Sequence, residues 1–491
     1  MPPAAVVAVV FAFVLALEPP LAHGQSFDRL RASIRRQLEE SKAPSVAVAV
    51  ARGGEILFEE GFGWANREQR IAATARTPYS LASISKPITA TGLMLLVERG
   101  KVDLDRPVND YLGDALLAGR AGNAAQATVR RVANHTSGLP LHYQFFYEDE
   151  PYRPPPRQET IRRYGNLITP PGERYQYSNL GYGVLDHLIT RVAGNHYADF
   201  MREQVFSPLA LTETAIGVPA HLTRQQAIRY GGDSRPIPFY DFDHPGGSAV
   251  YASAHDLVRF AMFHLKARPA GQKQILTTDS IDAMQKPTVW QRKTSGYGIG
   301  WAVETTPAGY TVVSHGGGMG GVSTILRMIP AKKIAVVVLS NARSALPGRI
   351  SAEILSTLVP DFAERPDEGR PQARLRPTAE LVGTWKGSVI TYAGELPLAL
   401  VIHASGDVRA RLGRQPETAL NQPRIEDGYL TGRMNGELGT QDVDRRPYEL
   451  AVSLRQRGGV LNGGMTALSS PGPRAGNALT HWVELYKLYQ Q

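Results

Sequence analysis

Ser83 and Lys86 are the residues whose spacing first suggests a reaction. In Tyr79-Ser80-Leu81-Ala82-Ser83-Ile84-Ser85-Lys86-Pro87-Ile88-Thr89, and nowhere else in the chain, a serine has a lysine three residues on. Ile88, Leu93, Leu96 and Val97 follow at helical spacing, which predicts a helix starting at Ser83. The hydroxyl then sits at the positive end of that helix, with the amine one turn on over the same face. A serine hydroxyl attacks poorly at neutral pH unless a base within hydrogen-bond reach takes its proton. Lysine can be that base only when neutral, which requires burial or a neighbouring cation. The competing reading is an exposed helix pair, which a chain of this length produces by chance on the order of once.

Two later motifs could complete a site. Tyr177-Ser178-Asn179 follows the turn Thr169-Pro170-Pro171-Gly172 and precedes the helix opening Gly181-Tyr182-Gly183-Val184-Leu185, so Tyr177 and Asn179 are expected on a short loop facing a cleft. Tyr164-Gly165-Asn166 has the same spacing but lacks both flanking signals. Ser314-His315-Gly316-Gly317-Gly318 follows an extended run at 310–313, and glycines within a strand suggest close approach of a backbone or a ligand. His244-Pro245-Gly246 competes with it, but proline lacks the backbone donor that a substrate-binding strand needs, so His315 is preferred.

In this order the three motifs resemble those of the serine β-lactamase and penicillin-binding protein superfamily, most closely its branch of class C β-lactamases, family VIII esterases and D-aminopeptidases. Asn134-His135-Thr136-Ser137-Gly138-Leu139-Pro140, Gly246-Gly247-Ser248-Ala249-Val250-Tyr251-Ala252-Ser253 and Tyr297-Gly298-Ile299-Gly300-Trp301 extend the resemblance from about residue 45 to 358. It implies that Ser83 is the nucleophile of an acyl-enzyme and that Lys86 takes its proton or tunes the group that does. Tyr177 is the implied shuttle to the leaving group and a candidate activator of water, while Asn179 holds the lysine and a substrate amide. Substrate-binding and oxyanion positions are implied at His315, Gly317 and Gly318, with the backbone N–H groups of Ser83 and Gly318 as the oxyanion donors. At His315 the chain departs from the lysine that many relatives carry there. An imidazole with a reference pKa of about 6.5 is mostly neutral near neutral pH, which argues against strong β-lactam hydrolysis and for an ester, amide or peptide substrate. The bland reading of His315 is a residue that caps the strand.

The rest of the chain sets bounds. At 491 residues, 43% hydrophobic and 20% charged, it has the composition of a globular enzyme of two or three domains. The absence of cysteine excludes disulfides, thiolate catalysis and cysteine-ligated metals, and suits an oxidising compartment. The apolar run 6–17 is too short for a membrane span; followed by Pro19-Pro20 and Ala22-His23-Gly24, it makes 1–24 a cleavable secretory signal, with an uncleaved anchor as the alternative. A periplasmic or secreted protein with no stable membrane span is therefore expected. The net charge of +9 is scattered, which speaks against nucleic acid and for solubility or attraction to anionic cell-wall fragments. No zinc-helix or phosphate-loop spacing occurs, so neither metal nor cofactor is expected, and the partner is a small-molecule or peptide substrate.

The elements that must position these residues can be read coarsely. Phe27, Leu30, Ile34 and Leu38 recur at helical spacing; Gly53-Gly54 joins two strand-like runs into a hairpin; helical sequence fills 83–267; strands return at 298–304, 310–314, 322–329 and 334–340, and a helix follows at 349–358. The fold class expected is α+β, a β-lactamase/transpeptidase-like antiparallel sheet flanked by helices, with a helical subdomain. The hydrolase domain is expected at 25–359, a proline-rich linker at 360–377 and a small all-β, barrel-like domain at 378–491. The aromatic loop His142-Tyr143-Gln144-Phe145-Phe146-Tyr147 either walls the cleft or packs onto the helical subdomain. The rival functions are a working β-lactamase and a penicillin-binding sensor or cell-wall module with little turnover.

Overall fold

A computed structural model describes residues 23–218, 225–364, 374–470, 472 and 474–488. The signal expected at 1–24 falls almost wholly outside these residues, as does the middle of the linker expected at 360–377.

The strand Ser45–Arg52 alternates valine and alanine, and every residue but the last is buried. Its alanines face one cluster that includes Leu81, Ile84 and the helix Ala254–His264; its valines face another, with Ile34 of the helix His23–Ser41 and Ile350 of the helix Leu346–Leu358. Helices thus cover both faces, and the sheet between them is wholly antiparallel. Its order is Ile71–Ala72, Glu55–Asn66, Ser45–Arg52, Ile334–Ser340, Val322–Ile329, Thr311–Met319, Ala302–Thr305, Ser295–Tyr297 and Val289–Arg292. Val48 lies opposite Val338, so strands from the two ends of the hydrolase part are neighbours, and the helical sequence is inserted between them.

Four expectations shift. A 3-10 turn at Ala82–Ile84 precedes the α-helix Ser85–Glu98, so the long helix starts two residues after Ser83. Ile84 N donates to Leu81 O and Ser85 N to Ala82 O, the tighter pattern of a 3-10 turn rather than of an α-helix, and Ala82 itself has φ +49°, a left-handed conformation that a non-glycine residue adopts only when its surroundings enforce it. The strand expected at 298–304 begins only at Ala302, because Gly300 has φ +82°, and the strand of Thr311 runs on through all three glycines to Met319. The last helix starts at Leu346 rather than 349.

Beyond Gly383 a second antiparallel sheet of nine strands forms, whose outer strands, Thr418–Ala419 and Asn421–Glu426, are separated in sequence only by Leu420. The sheet therefore nearly closes on itself, with Trp385, Leu400, Leu412, Leu454 and Met465 buried. Arg446 and Arg445 on Glu150, Arg457 on Glu173 and Arg163 on Asp442 join it to the helical subdomain. Among the described residues no helix is long and apolar enough to cross a membrane.

Candidate active site

The turn carrying Ser83 is fixed from three sides. Ser85 Oγ donates to Ala82 O at 2.7 Å and accepts from Val250 N at 3.0 Å, while Thr324 Oγ1 donates to Leu81 O at 2.9 Å. Ala82 and Ile84 are buried, and Ser83 between them keeps partial exposure toward a cleft of ≈ 580 Å³. A larger cavity of ≈ 680 Å³, beside Arg229 and Pro236, has neither serine nor lysine in its lining.

Lys86 is fully buried and its Nζ has three neighbours: Asn179 Oδ1 at 2.8 Å, Gly247 O at 3.0 Å and Ser83 Oγ at 3.1 Å. Two of these can only accept. A neutral amine has two N–H bonds and one lone pair, so with both hydrogens donated to the carbonyl oxygens the lone pair is left for the serine hydroxyl. Burial pushes the Lys86 pKa well below its ordinary value, which favours that neutral form. The rings of Tyr177 and Tyr182 wall the amine, with centroids 4.7 Å and 5.7 Å from Nζ.

The elements around Lys86 show why each acceptor is where it is. Ser178 caps the helix Asn179–Ala193 by accepting from Gly181 N, which leaves Tyr177 on the preceding loop and makes Asn179 the first helical residue. Asn179 Nδ2 donates to His142 O at 3.0 Å, fixing the amide so that its oxygen meets Lys86. The loop itself hangs on His135, whose Nδ1 accepts from Ser178 N at 3.1 Å and whose carbonyl accepts from Gln176 N at 2.7 Å. Gly247 sits in the short helix Pro245–Ser248, tied down by Gly246 N donating to the buried Asp186, which Arg157 pairs. Tyr177 interacts with the Ser83 hydroxyl, and burial holds its phenol protonated, above the ordinary value.

Of the remaining sequence candidates, Gly318 lines the cleft, and a Cβ added there meets nothing within 4 Å. Gly317 belongs to packing instead: a Cβ would lie 2.1 Å from Leu81 O and 2.2 Å from Thr324 Oγ1. Its bareness lets the strand approach the nucleophile turn. His315 is buried, its Nδ1 donates to Gly316 O at 2.8 Å and its Nε2 accepts from Tyr297 O–H at 3.0 Å. Burial, with Lys86 nearby, lowers its pKa to about 3. A neutral ring with both nitrogens engaged is no cationic anchor.

Sequence reasoning passed over several cleft residues. His244, set aside because of Pro245, lines the cleft from the turn before the short helix rather than from a strand. The aromatic loop does both things asked of it: Tyr143 and Phe145 line the cleft, and Phe145–Tyr147 pairs with Tyr240–Phe242 as a buried ribbon. Ser469, Arg474 and Asn477 of the C-terminal sheet's last hairpin complete the far wall, anchored by Asn477 Oδ1 accepting from Phe145 N at 2.9 Å. No short-range pattern joins these residues, since they come from three segments far apart in the sequence: the aromatic loop, the turn at His244 and the last hairpin.

Comparison with known proteins places this geometry. Penicillin-binding protein 4 of Amycolatopsis lactamdurans is 27% identical over 393 residues, covering 74% of this chain and 97% of that protein. Penicillin-binding protein 4* of Bacillus subtilis (strain 168) is 28% identical over 320 residues, 60% of this chain and 67% of the relative. The crystal structure of SurE superposes with a TM-score of 0.63 at 23% identity, over 95% of this chain and 100% of that one, a likeness of fold that includes the C-terminal sheet. The Beta-lactamase family model matches residues 30–359, from the first helix of the hydrolase part to the end of its last, and the chain therefore belongs to the Beta-lactamase family.

Proposed function

We propose that this serine hydrolase is secreted and cleaves an ester, amide or peptide bond through an acyl-Ser83 intermediate. The observation that carries the reading is the Lys86 amine, buried with no carboxylate partner among the described residues and donating to two carbonyl oxygens, with its third direction toward Ser83 Oγ. In acylation Ser83 Oγ bonds to the substrate carbonyl carbon while Lys86 takes the hydroxyl proton. Tyr177, in contact with Ser83, passes its phenol proton to the departing alcohol or amine and takes one back from the Lys86 ammonium, which leaves both groups neutral again. The carbonyl oxygen becomes negative and is met by the backbone N–H groups of Ser83 and Gly318. Water then releases the acyl group.

His315 supports an ester, amide or peptide substrate over a β-lactam: neutral and hydrogen-bonded at both nitrogens, it offers a substrate carboxylate no charge. Secretion is supported by the apolar run at 6–17, and contact with anionic cell-wall material by the charge of +9. The test is a panel of short-acyl p-nitrophenyl esters, D-amino acid amides and nitrocefin, with a fluorophosphonate probe on the wild type and on Ser83→Ala. Ester or amide turnover with labelling lost in Ser83→Ala is the expected result. Turnover of nitrocefin alone gives the β-lactamase reading, and a stable adduct without turnover gives the sensor.

A further inference from the structure

Asp243, one residue before the cleft-lining His244, has no exposed side-chain surface, and each of its oxygens has an imidazole at hydrogen-bond distance. His244 Nδ1 is 2.7 Å from Oδ1 and His142 Nε2 is 2.8 Å from Oδ2. The ligand-capable atoms of these three residues lie within 4.8 Å of one another, but the two N–H groups already satisfy the carboxylate without a cation. Burial alone would raise the Asp243 pKa; the two histidines outweigh it and hold the carboxylate ionised. Its orientation is set from the other domain. With its amide nitrogen donating to Asp243 Oδ2 at 3.0 Å, Gln144 accepts from Arg445 Nη1 of the C-terminal domain at 3.1 Å.

This arrangement has a consequence for His244. A ring whose Nδ1–H is donated to a fixed carboxylate keeps its lone pair on Nε2. That nitrogen has no hydrogen-bond partner among the described residues, and the ring lines the same cleft as Ser83, Asn179 and Gly318. Burial lowers the imidazole pKa, Asp243 opposes it and His142 and Lys86 add to it, with a net lowering that favours the neutral ring. A neutral, oriented imidazole facing the cleft, and bonded to neither Ser83 nor Lys86, is a base placed for a molecule that enters later.

We propose that His244 is a second catalytic base of this site, which takes a proton from the water that hydrolyses acyl-Ser83, with Asp243 as its positioning residue. The assignment rests on the acyl-serine reading above. The water oxygen bonds to the acyl carbonyl carbon as its proton passes to His244 Nε2, giving an imidazolium paired with Asp243. The tetrahedral adduct collapses with cleavage of the bond from that carbon to Ser83 Oγ, the acid leaves, and the imidazolium proton returns through cleft water to the serine oxygen. Acylation then depends on Lys86, and deacylation on His244.

The experiment follows the release of p-nitrophenol from a short-acyl p-nitrophenyl ester in the full chain, resolving the burst (acylation) from the steady state (deacylation). In His244→Gln and in Asp243→Asn the burst rate is expected to stay within about threefold of wild type, while the steady-state rate falls about 10²- to 10⁴-fold, the usual contribution of a general base. Hydroxylamine, a nucleophile that needs no such base, restores release from the acyl-enzyme in both variants. The wild-type deacylation rate falls on acidification as His244 protonates, among the facing groups Asp243, His142, Lys86 and the Arg157-paired Asp186, and this acid limb is lost in His244→Gln. Unchanged deacylation in both variants, or an equal fall in burst and steady state, overturns the assignment. A wild type with no Ser83-dependent burst sinks the acyl-serine reading itself, and this base with it.

Discussion

The neutrality of one amine decides the chemistry at the scale of single residues. Lys86 has two carbonyl acceptors and one hydroxyl neighbour, an arrangement that a neutral amine fills completely. Replacing Lys86 by methionine keeps an unbranched side chain one atom shorter and removes the base; kcat/KM for an ester substrate is expected to fall about 10²- to 10⁴-fold while the fold persists, as checked by steady-state kinetics and circular dichroism. Tyr177→Phe removes the phenol that touches Ser83, and single-turnover kinetics should show acylation slowed most for the poorest leaving groups, which need their proton most. Equal slowing across a leaving-group series counts against the shuttle.

Elements matter here because two adjacent glycines on one strand answer to different constraints. At Gly317 the strand Thr311–Met319 passes so close to the turn before Ser83 that a methyl group would overlap Leu81 O. Gly317→Ala is expected to cost about 1–3 kcal/mol by overpacking and to displace the nucleophile turn, lowering both the midpoint of urea unfolding and kcat. Gly318→Ala meets no neighbour, so it should fold normally and reduce kcat/KM more for bulky than for acetyl esters. Similar effects of the two substitutions on stability would remove the distinction drawn between packing and cleft. The short helix Pro245–Ser248 is a second such device: it delivers the Gly247 carbonyl to Lys86, and Asp186 holds it in place.

For the whole molecule, buried neutral histidines set the response to acid. His264 and His315 are lowered to about 3 and His481 to about 4, chiefly by burial. Their unfolded-state pKa is about 6.5, so below that pH the unfolded chain binds protons that the folded chain refuses. Stability from these groups is complete above about 6.5 and is lost as pH falls toward their folded values, about 1.4 kcal/mol per pH unit for each. Asp186, raised to about 6, and Asp256, raised to about 7, both chiefly by burial, work in the opposite direction over part of that window, two groups against three. The net expectation is a urea midpoint that declines from pH 7 to pH 5; a flat or rising midpoint would show that these rings are protonated in the folded protein. The two domains also share the cleft, since the last hairpin of the C-terminal sheet forms one wall and Arg445 reaches the Asp243 network through Gln144.

Motifs of short range were legible in the chain itself: Ser83 with Lys86, Tyr177 with Asn179, and the glycines after His315 each lie within a few residues, where spacing alone fixes which side chains can meet. Alternating Val46 to Val50 and the strands after Val322 could be read for the same reason. What lay outside that reach was decided by folding. Whether His315 carries a charge depends on Tyr297 and on burial, and whether Gly317 serves substrate or packing depends on Leu81. His244 was discounted on a local rule about proline, yet its place in the cleft comes from Asp243, His142 and a second domain contacting the first, and no pattern along the sequence encodes contacts between residues a hundred or more apart.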